Sequence, residues 1–358
     1  MRNWYLDIGK EADVVMSSRV RIARNLQEVL FIPRAKKEDY INILNKIQYI
    51  TPSIGYGLRF IKLKDIDDIT KMSLVEKHLI SPEFALNKEE IGAILINDEE
   101  NICIMINEED HLRIQVFGAG LDVENITNLA IEIDEKIGKL LNYAYSKKYG
   151  FLTSCPTNVG TGMRCSIMVH LPGLSQTGNI NKILEIVNSL GLNIRGIYGE
   201  GSNAQGNVFQ ISNKQTLGVT EQEIIKNTKS ITEQVIAQER TARKHLLTKE
   251  LDLADRVYRA YGILKNCRKI SSEECKELLS DVRLGTDLGI ITELNDMQVN
   301  KLELYTRPAN LQKYLGEKLD IYSRDVKRAE VIKQIIDSYK WKEWVKWHIN
   351  LQKVQQRQ

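Results

Sequence analysis

The first two thirds of the chain carry the alternation of apolar and polar residues that is typical of β-strands with one buried face. Near the start, Val20 and Ile22 alternate with Arg19 and Arg21, which predicts a strand. Three further strand patterns follow, separated by short polar turns: AILIN (93–97), ICIMIN (102–107) and HLRIQVF (111–117). Because strands joined by short turns pair in opposite directions, these runs predict an antiparallel sheet.

Helical spacing of apolar residues marks two segments in the same part of the chain. Apolar residues recur every three or four positions between residues 126 and 144, with Asp122 placed as the N-cap and Gly150 as the C-terminal stop. A second helix is predicted over residues 179–190, where Gly191 ends it. Further strand patterns surround this helix: RCSIMVHL (164–171), LNIRGIY (192–198) and NVFQIS (207–212). This mixture predicts an α+β fold, in which an antiparallel sheet is flanked by helices.

Strand patterns end near Thr220, and helical patterns continue from there towards the C-terminus. Thr220 and Glu223 form a capping box that opens a helix reaching residue 247. Further helix signals follow: LDLADRVYRAYGILKN (251–266), a second capping box at Ser271 and Glu274, ELNDMQVNKLELY (293–305) and SRDVKRAEVIKQIID (323–337). We therefore expect a mixed domain over residues 1–225 and an all-α domain over residues 226–358.

Composition and charge exclude several classes of protein. The chain of 358 residues is 42% hydrophobic and 27% charged, which is typical of a globular protein long enough for two cores. A formal net charge of +3 gives no electrostatic case for direct binding to nucleic acid or to a membrane. Five scattered cysteines lack the spacing of a zinc site or of a disulfide scaffold, and no apolar run is long enough to span a bilayer. We expect a cytoplasmic protein.

Arginines are the candidates for phosphate binding. The nucleotide-binding patterns GxxxxGK[ST] and strand-linked GxGxxG do not occur, so a triphosphate would need other groups. Five arginines lie in or beside strand patterns, and we call them the arginine cage: Arg19, Arg21, Arg113, Arg164 and Arg195. Guanidinium forks match phosphate oxygens bidentately and keep their charge at any working pH. Because any one of them alone reads as a surface arginine, the interpretation depends on the motifs around them.

Four motifs surround the arginine cage, in this order: SSRVRIAR (17–24), NEEDHLRI (107–114), CPTNVGTGMR (155–164) and RGIYGEGS (195–202). Together they resemble the signature segments of the phosphagen kinases, which are ATP:guanidino phosphotransferases. The resemblance implies that the arginine cage binds ATP, with Mg²⁺ bridging the phosphates, although no set of metal-ligating residues is evident. It also implies that Glu109 and Glu200 grip the guanidinium substrate. Cys155 matches a catalytic cysteine, and His111 matches a position near the nucleotide, although a loop histidine is an equal alternative.

Guanidinium phosphorylation requires this kind of site. A guanidinium with a pKa above about 12 is a poor nucleophile, so one nitrogen must lose a proton and be aimed at the γ-phosphorus. Two carboxylates, Glu109 and Glu200, can accept that proton and fix the planar fork. Cys155 is interpreted either as a thiolate beside the substrate cation or as an inert buried thiol.

The order of the segments resembles one branch of the family. In small-molecule phosphagen kinases a helical domain with a substrate-closing loop precedes the SSRVR-like segment, whereas here that segment starts at Ser17. Bacterial protein-arginine kinases share this layout and add a helical C-terminal domain. The resemblance therefore implies arginine side chains of proteins as substrates. It also implies a homodimer, a small zinc-binding activator protein, and a Clp-type protease or chaperone that acts on the marked proteins in a stress response.

Two segments of the helical domain carry further hypotheses. RDVKRA (324–329) resembles the RDxxRA site of those kinases, which implies an allosteric phosphoarginine site at Arg324, Asp325 and Arg328. The alternative is a helix start capped by Ser323. Nearer the C-terminus, three tryptophans share one helical side, which favours core or dimer packing over docking to a partner: Trp341, Trp344 and Trp347.

Two alternative functions stay open. A kinase for free arginine or another small guanidino compound would use the same chemistry, but it would lack the loop that closes over a free substrate. A non-catalytic adaptor that binds phosphoarginine would not need both carboxylates together with the complete arginine cage.

Overall fold

The computed structural model describes residues 3–87, 91–196 and 204–355, with side chains described as far as residue 338. The chain forms two compact units, Met1–His245 and Leu246–Gln358. The first unit extends twenty residues beyond the predicted boundary at residue 225. The reason is that the helix after Thr220 buries one face, including Ile231 and Val235, in the core of the first unit.

An antiparallel sheet organises the first unit. The strands are β1 (Val15–Arg24), β2 (Arg59–Lys62), β3 (Ala93–Ile96), β4 (Ile102–Ile106), β5 (Leu112–Ala119), β6 (Tyr145–Ser146), β7 (Gly150–Phe151), β8 (Met163–His170), β9 (Leu192–Gly196) and β10 (Val208–Asn213). Over the described residues the main sheet has eight strands in the order β2-β3-β4-β5-β1-β8-β10-β9, while β6 and β7 pair separately as a hairpin. The predicted strand patterns AILIN, ICIMIN and HLRIQVF thus correspond to β3, β4 and β5, which pair antiparallel as expected.

Helices cover the sheet. In the first unit they are α1 (Lys37–Ile54), α2 (Asp68–Glu76), α3 (Pro82–Ala85), α4 (Val123–Leu140), α5 (Pro172–Gln176), α6 (Ile180–Ser189) and α7 (Glu221–Leu247). Ile47 of α1, Ile133 of α4 and Val187 of α6 belong to one core with the apolar side of the sheet. This arrangement confirms the predicted α+β fold.

The pairing register gives the sheet two chemically different faces. Val20 and Ile22 of β1 are fully buried in the core, together with Ile114 and Cys165 from the neighbouring strands. Because successive side chains on a strand point to opposite sides, the arginines that alternate with Val20 and Ile22 lie on the other face. A second small core around Phe84 covers part of that face over β3 and β4. The remaining part of it carries the candidate site.

One predicted helix is shorter than expected. Helix α4 ends at Leu140, and Leu141 already has an extended backbone. The apolar positions after Leu140 pack along an extended segment, in which Ala144 N–H donates to the Asn25 carbonyl oxygen at 2.8 Å. Gly150 does not end a helix: it lies in the β6–β7 hairpin with φ +76°, and a Cβ there would meet the Gly160 carbonyl oxygen at 2.6 Å.

The second unit is helical throughout its described residues, as predicted. Its helices are α8 (Glu250–Asn266), α9 (Ser272–Asp287), α10 (Asp296–Tyr305), α11 (Pro308–Leu315) and α12 (Ile321–Gln355). They share a core of their own, which includes Val257 and Leu302. Ser271 is confirmed as the N-cap of α9, because its side chain accepts the Glu274 N–H. Helix α12 starts two residues before the predicted Ser323, since the Asp320 side chain accepts the Ser323 N–H.

The backbone of α12 includes the three predicted tryptophans, but their side chains lie outside the described residues. No helix in the described part of the chain combines the length and the apolar character needed to cross a bilayer.

Candidate active site

Strand pairing places the arginine cage on one face of the sheet. Arg21 of β1 lies directly opposite Arg164 of β8, and Ala23 of β1 lies directly opposite Arg113 of β5. Residues that face each other across an antiparallel pair share a side of the sheet, as do alternate residues of one strand such as Arg19 and Arg21. Four of the five arginines are therefore neighbours on the polar face.

The fifth arginine joins them through β10. Arg19 donates from Nη2 to Gln210 Oε1 at 3.2 Å and from Nε to Ser166 Oγ at 3.4 Å. Gln210 lies directly opposite Arg195 of β9, so Arg195 belongs to the same face. The sequence analysis did not single out Gln210 or Ser166. Ser166 lies two residues after Arg164 on β8, and Gln210 lies opposite Arg195, so both share the face of these arginines.

The arginine cage has little compensating negative charge. Burial, together with the neighbouring charges of Arg113, Arg195 and Arg164, lowers the pKa of Arg19 to about 10. Burial also lowers the pKa of Arg21 well below its usual value, and that of Arg164 in the same direction. The Nε atoms of Arg21 and Arg164 have no hydrogen-bond partner among the described residues. Because half-buried cations without counterions cost free energy, the face is suited to a polyanion.

Arg113 differs from the other cage arginines because it has a carboxylate partner. Its Nη1 donates to both carboxylate oxygens of Glu108, at 2.7 and 2.6 Å, and Glu108 also accepts from Ser81 Oγ at 2.7 Å. The next residue, Glu109, lies 4.0 Å from Arg113 Nη2 and its side chain is 42% exposed. The first glutamate of the NEED motif thus holds an arginine, while the second faces solvent. The sequence alone did not separate these roles.

Part of the predicted site forms a cleft of about 130 Å³. It is lined by Arg21, Ala23, Glu109, Arg113, Cys155, Thr157, Asn158, Gly162 and Arg164. Cys155 is half-buried, with its Sγ 3.0 Å from Thr157 Oγ1. Gly162 has φ +64°, and a Cβ there would come within 2.6 Å of the Ala23 carbonyl oxygen. The structure therefore brings three cage arginines together with Glu109 and Cys155.

His111 lies outside this cleft. Its side chain is fully buried, its Nδ1 accepts the Leu26 N–H at 3.0 Å, and its Nε2 lies 2.9 Å from the Leu30 carbonyl oxygen. Burial lowers the pKa of His111, which favours the neutral ring that this pair of contacts requires. Since both ring nitrogens bind the backbone, the geometry does not support the predicted place of His111 beside a nucleotide. It fixes the segment that follows β1.

Glu200, the second predicted carboxylate, lies outside the described residues. Over the described residues, no three His, Cys, Asp or Glu side chains group as ligands for a metal ion. Glu108 is occupied by Arg113, which leaves Glu109 as the exposed carboxylate of that motif in the cleft. This arrangement fits Mg²⁺ only as an ion held mainly by phosphate oxygens and water, the mode that Mg²⁺ commonly uses with nucleotides.

In the second unit, the RDVKRA residues divide into buried and accessible groups. Arg328 is 1% exposed: its Nε donates to the Thr306 carbonyl oxygen at 2.7 Å, and its Nη1 to the Ile270 carbonyl oxygen at 2.8 Å. Nη1 also donates to Asp325 Oδ1 at 2.6 Å. Arg324 and Asp325 are half-buried. Arg328 therefore holds the backbone and Asp325, and the accessible part of the predicted phosphoarginine site is Arg324 with Asp325.

Comparison with known families agrees with this geometry. The model of the ATP:guanido phosphotransferase C-terminal catalytic domain matches residues 44–242. The model of the protein-arginine kinase McsB C-terminal domain matches residues 250–346. Together the two matches cover the central part of both units.

Relatives and solved structures place the chain more closely. It is 49% identical over 335 residues to the protein-arginine kinase of Halothermothrix orenii, covering 93% of this chain and 96% of that protein. It is 44% identical over 340 residues to the protein-arginine kinase of Bacillus subtilis, covering 93% of each.

Among solved structures, the duplicated taurocyamine kinase from Schistosoma mansoni with bound transition state analog components gives a TM-score of 0.56 at 26% identity. That match covers 63% of this chain and 33% of the other, so the chain spans only a third of the duplicated enzyme. Lombricine kinase gives a TM-score of 0.57 at 24% identity over 66% of this chain and 70% of that one, a likeness of fold. The chain therefore belongs to the ATP:guanido phosphotransferase family and, within it, to the protein-arginine kinases.

Proposed function

We propose that this kinase transfers the γ-phosphoryl group of ATP to the guanidinium of arginine side chains in proteins. The observation that carries the proposal is the cleft in which Arg21 and Arg164 have unpartnered Nε atoms, among the described residues, beside the exposed carboxylate of Glu109. The cations suit the phosphates, and the carboxylate suits the guanidinium.

On the nucleotide side, the arginine cage neutralises the triphosphate. Preorganised cations that need no rearrangement during transfer stabilise the charge that builds on the transferring phosphoryl group. Arg113 keeps its orientation through Glu108, while Arg19 is oriented by Gln210 and Ser166. A Mg²⁺ ion bound together with ATP would supply further charge neutralisation.

On the substrate side, Glu109 accepts a proton from the guanidinium and holds its planar fork. A carboxylate placed in this way typically contributes about 10² to 10⁴ in rate. Glu200 is proposed as the second carboxylate, and this rests on the GEG motif alone. Cys155 is proposed as a thiolate next to the substrate cation, because it lines the same cleft as Glu109.

Protein-bound arginine is the preferred acceptor because relatives named protein-arginine kinase match both units of the chain at 44 to 49% identity. The direct test incubates the purified protein with Mg-ATP and either an unfolded protein or free arginine. ADP release is followed, and phosphoarginine is sought by mass spectrometry under non-acidic handling. The proposal expects phosphoarginine in the protein acceptor, with an Arg21→Met variant as the inactive control.

Two results would redirect the proposal. Efficient phosphorylation of free arginine with little transfer to protein would make the chain a kinase for a small guanidino compound. A folded protein that binds phosphoarginine but produces neither ADP nor phosphoarginine would be a non-catalytic adaptor.

We further propose the cellular setting that the family resemblance implies. Five free thiols suit the reducing cytoplasm. A homodimer, a small zinc-binding activator protein, and a Clp-type protease or chaperone that acts on marked proteins in a stress response rest on the resemblance alone. Regulation by phosphoarginine at Arg324 and Asp325 rests on the RDVKRA motif and on their accessibility in the second unit.

A further inference from the structure

A buried polar cluster joins three segments of the chain around the candidate site. Asp110 and Asn25 are 2% and 1% exposed, and Asn25 Nδ2 donates to Asp110 Oδ1 at 2.6 Å. The same Oδ1 accepts the backbone N–H of Ser154, also at 2.6 Å. Asn25 Oδ1 accepts the His111 N–H at 2.9 Å, and its Nδ2 also donates to the Leu152 carbonyl oxygen at 3.2 Å. One side-chain pair thus connects the end of β1, the NEED motif and the segment before Cys155.

Each connected segment supplies a group of the cleft. Asp110 directly follows Glu109, and Ser154 directly precedes Cys155. Asn25 directly follows β1, the strand that supplies two cage arginines. Because the peptide unit is planar and rigid, fixing Asp110 and Ser154 restricts the positions of the residues bonded to them. The cluster therefore restricts the distance between the Glu109 carboxylate and the Cys155 thiol, which both line the cleft.

We propose that Asp110 is a positioning residue, which holds Glu109 and Cys155 at a fixed separation while they engage the guanidinium. This inference rests on the proposed function, since it assigns Asp110 a part in that reaction. Asp110 is not among the residues that line the cleft, so it acts through the Ser154 N–H and through its covalent link to Glu109. A hydrogen bond to a buried carboxylate is stronger than one between neutral groups, which makes this connection rigid.

The geometry separates two possible roles of the carboxylate. Both donors, the Asn25 amide and the Ser154 N–H, reach the same oxygen of Asp110. An asparagine at this position can therefore present an acceptor oxygen to both donors without a charge. A positioning role needs that oxygen, whereas a role as proton acceptor or as counterion needs the negative charge.

The experiment compares Asp110→Ala, Asp110→Asn and a control, Asp98→Ala, which removes an exposed carboxylate in the turn between β3 and β4. Five quantities are measured for each variant of this chain: kcat and KM for an unfolded protein substrate, the nucleotide Kd, the melting temperature, and the rate of Cys155 alkylation by iodoacetamide, located by peptide mass spectrometry. If the alanine variant does not fold, Asp110→Ser replaces it, because its shorter side chain cannot reach both donors.

Asp110→Ala is expected to lower kcat by about 10- to 100-fold, since a misplacement of roughly 1 Å can cost that much in rate. Its nucleotide Kd should stay near wild type, because the arginine cage is carried by strands. Cys155 should alkylate several times faster, because its loop loses the anchor at Ser154. Asp110→Asn should restore most of the kcat and the slow alkylation, and Asp98→Ala should resemble wild type.

Three results would overturn the inference: unchanged kcat and alkylation in Asp110→Ala, an asparagine variant as inactive as the alanine variant, or a loss of kcat that only parallels a loss of nucleotide binding. Nucleotide binding and alkylation need no phosphoryl transfer. A wild-type protein that makes no phosphoarginine therefore counts against the proposed function, while an unaltered alkylation rate in Asp110→Ala counts against the positioning role.

Discussion

Arg21 of β1 lies directly opposite Arg164 of β8, and neither guanidinium Nε finds a hydrogen-bond partner in the described part of the chain. Like charges placed opposite each other across two strands destabilise the pairing. Burial lowers the pKa of both residues, which indicates that the folded protein holds their charged forms at a cost. The free enzyme therefore carries this charged pair at a cost in stability, and the pair is preorganised for the proposed binding of phosphate.

We predict that Arg21→Met stabilises the free protein and abolishes nucleotide binding. Replacement of a buried ion pair by apolar side chains of similar volume is often stabilising by about 1 to 4 kcal/mol, and removal of the unpaired, half-buried charge of Arg21 is expected to act in the same direction. Urea unfolding without and with ATP provides the measurement, and the variant should gain stability without ATP and nothing further with it. Arg59→Met, at an exposed arginine paired with Asp98, is the control with no expected change. A destabilised Arg21→Met protein would contradict this view of the arginine cage.

The two proposed carboxylates should act on the guanidinium and leave the nucleotide alone. Glu109→Gln and Glu200→Gln are each expected to reduce transfer by about 10² to 10⁴, the usual contribution of a positioned base. The nucleotide Kd should remain within a few fold of wild type. By contrast, Glu108→Gln should change nucleotide affinity, because Glu108 orients Arg113. Near-normal turnover in either variant would show that the substituted glutamate neither accepts the proton nor holds the guanidinium.

Arg164→Ala should weaken nucleotide binding and slow the chemical step together, because it removes positive charge from both the bound and the transferring phosphates. Equilibrium titration with a nonhydrolysable ATP analogue gives the first quantity, and single-turnover rates give the second. Arg34→Ala serves as a control, since Arg34 belongs to the short 3-10 helix Ile32–Arg34 and is not part of a strand that carries the cage. Wild-type affinity and rate in Arg164→Ala would show that the cleft does not hold the phosphates.

Free phosphoarginine should activate the enzyme through the second unit. Typical allosteric couplings of about 1 to 3 kcal/mol allow increases of roughly 5- to 150-fold if the rate follows the population. Arg324→Ala should flatten this response without changing the nucleotide Kd, whereas Lys327→Ala, at an exposed lysine of the same helix, should keep it. Arg328 is unsuitable for this test because its removal would leave buried carbonyl groups unpaired.

An Arg324→Ala variant that responds to phosphoarginine like wild type would return RDVKRA to a purely structural role at the start of α12. The activation curve is measured with a protein substrate over a range of phosphoarginine concentrations, so that a change in maximum and a change in midpoint are distinguished.

The sequence predicted those features that depend on local periodicity and on ordered motifs. The alternation of Val20 and Ile22 with Arg19 and Arg21 is enough to assign them to opposite faces of a sheet. The N-cap at Ser271 likewise depends only on residues within one turn of the helix.

Features that depend on contacts with residues distant in the sequence could not be predicted from the sequence. The apolar face of α7 shows its helical period but not which core it joins, so the first unit reaches His245 rather than residue 225. The helical spacing after Leu140 belongs to an extended segment and a hairpin. His111 and Arg328 look like ligand-binding residues, but their polar atoms bind backbone groups supplied by remote segments.

The two-faced character of β1 links catalytic competence to correct folding. A slip of one residue in its pairing would move every side chain to the opposite face. Arg19 and Arg21 would then enter the apolar interior, and the phosphate site would lose them at the same moment. A chain in which β1 pairs in the wrong register would therefore lack the proposed phosphoryl-transfer activity as well as being unstable. For an enzyme proposed to phosphorylate other proteins, this coupling means that its own misfolded copies cannot phosphorylate them.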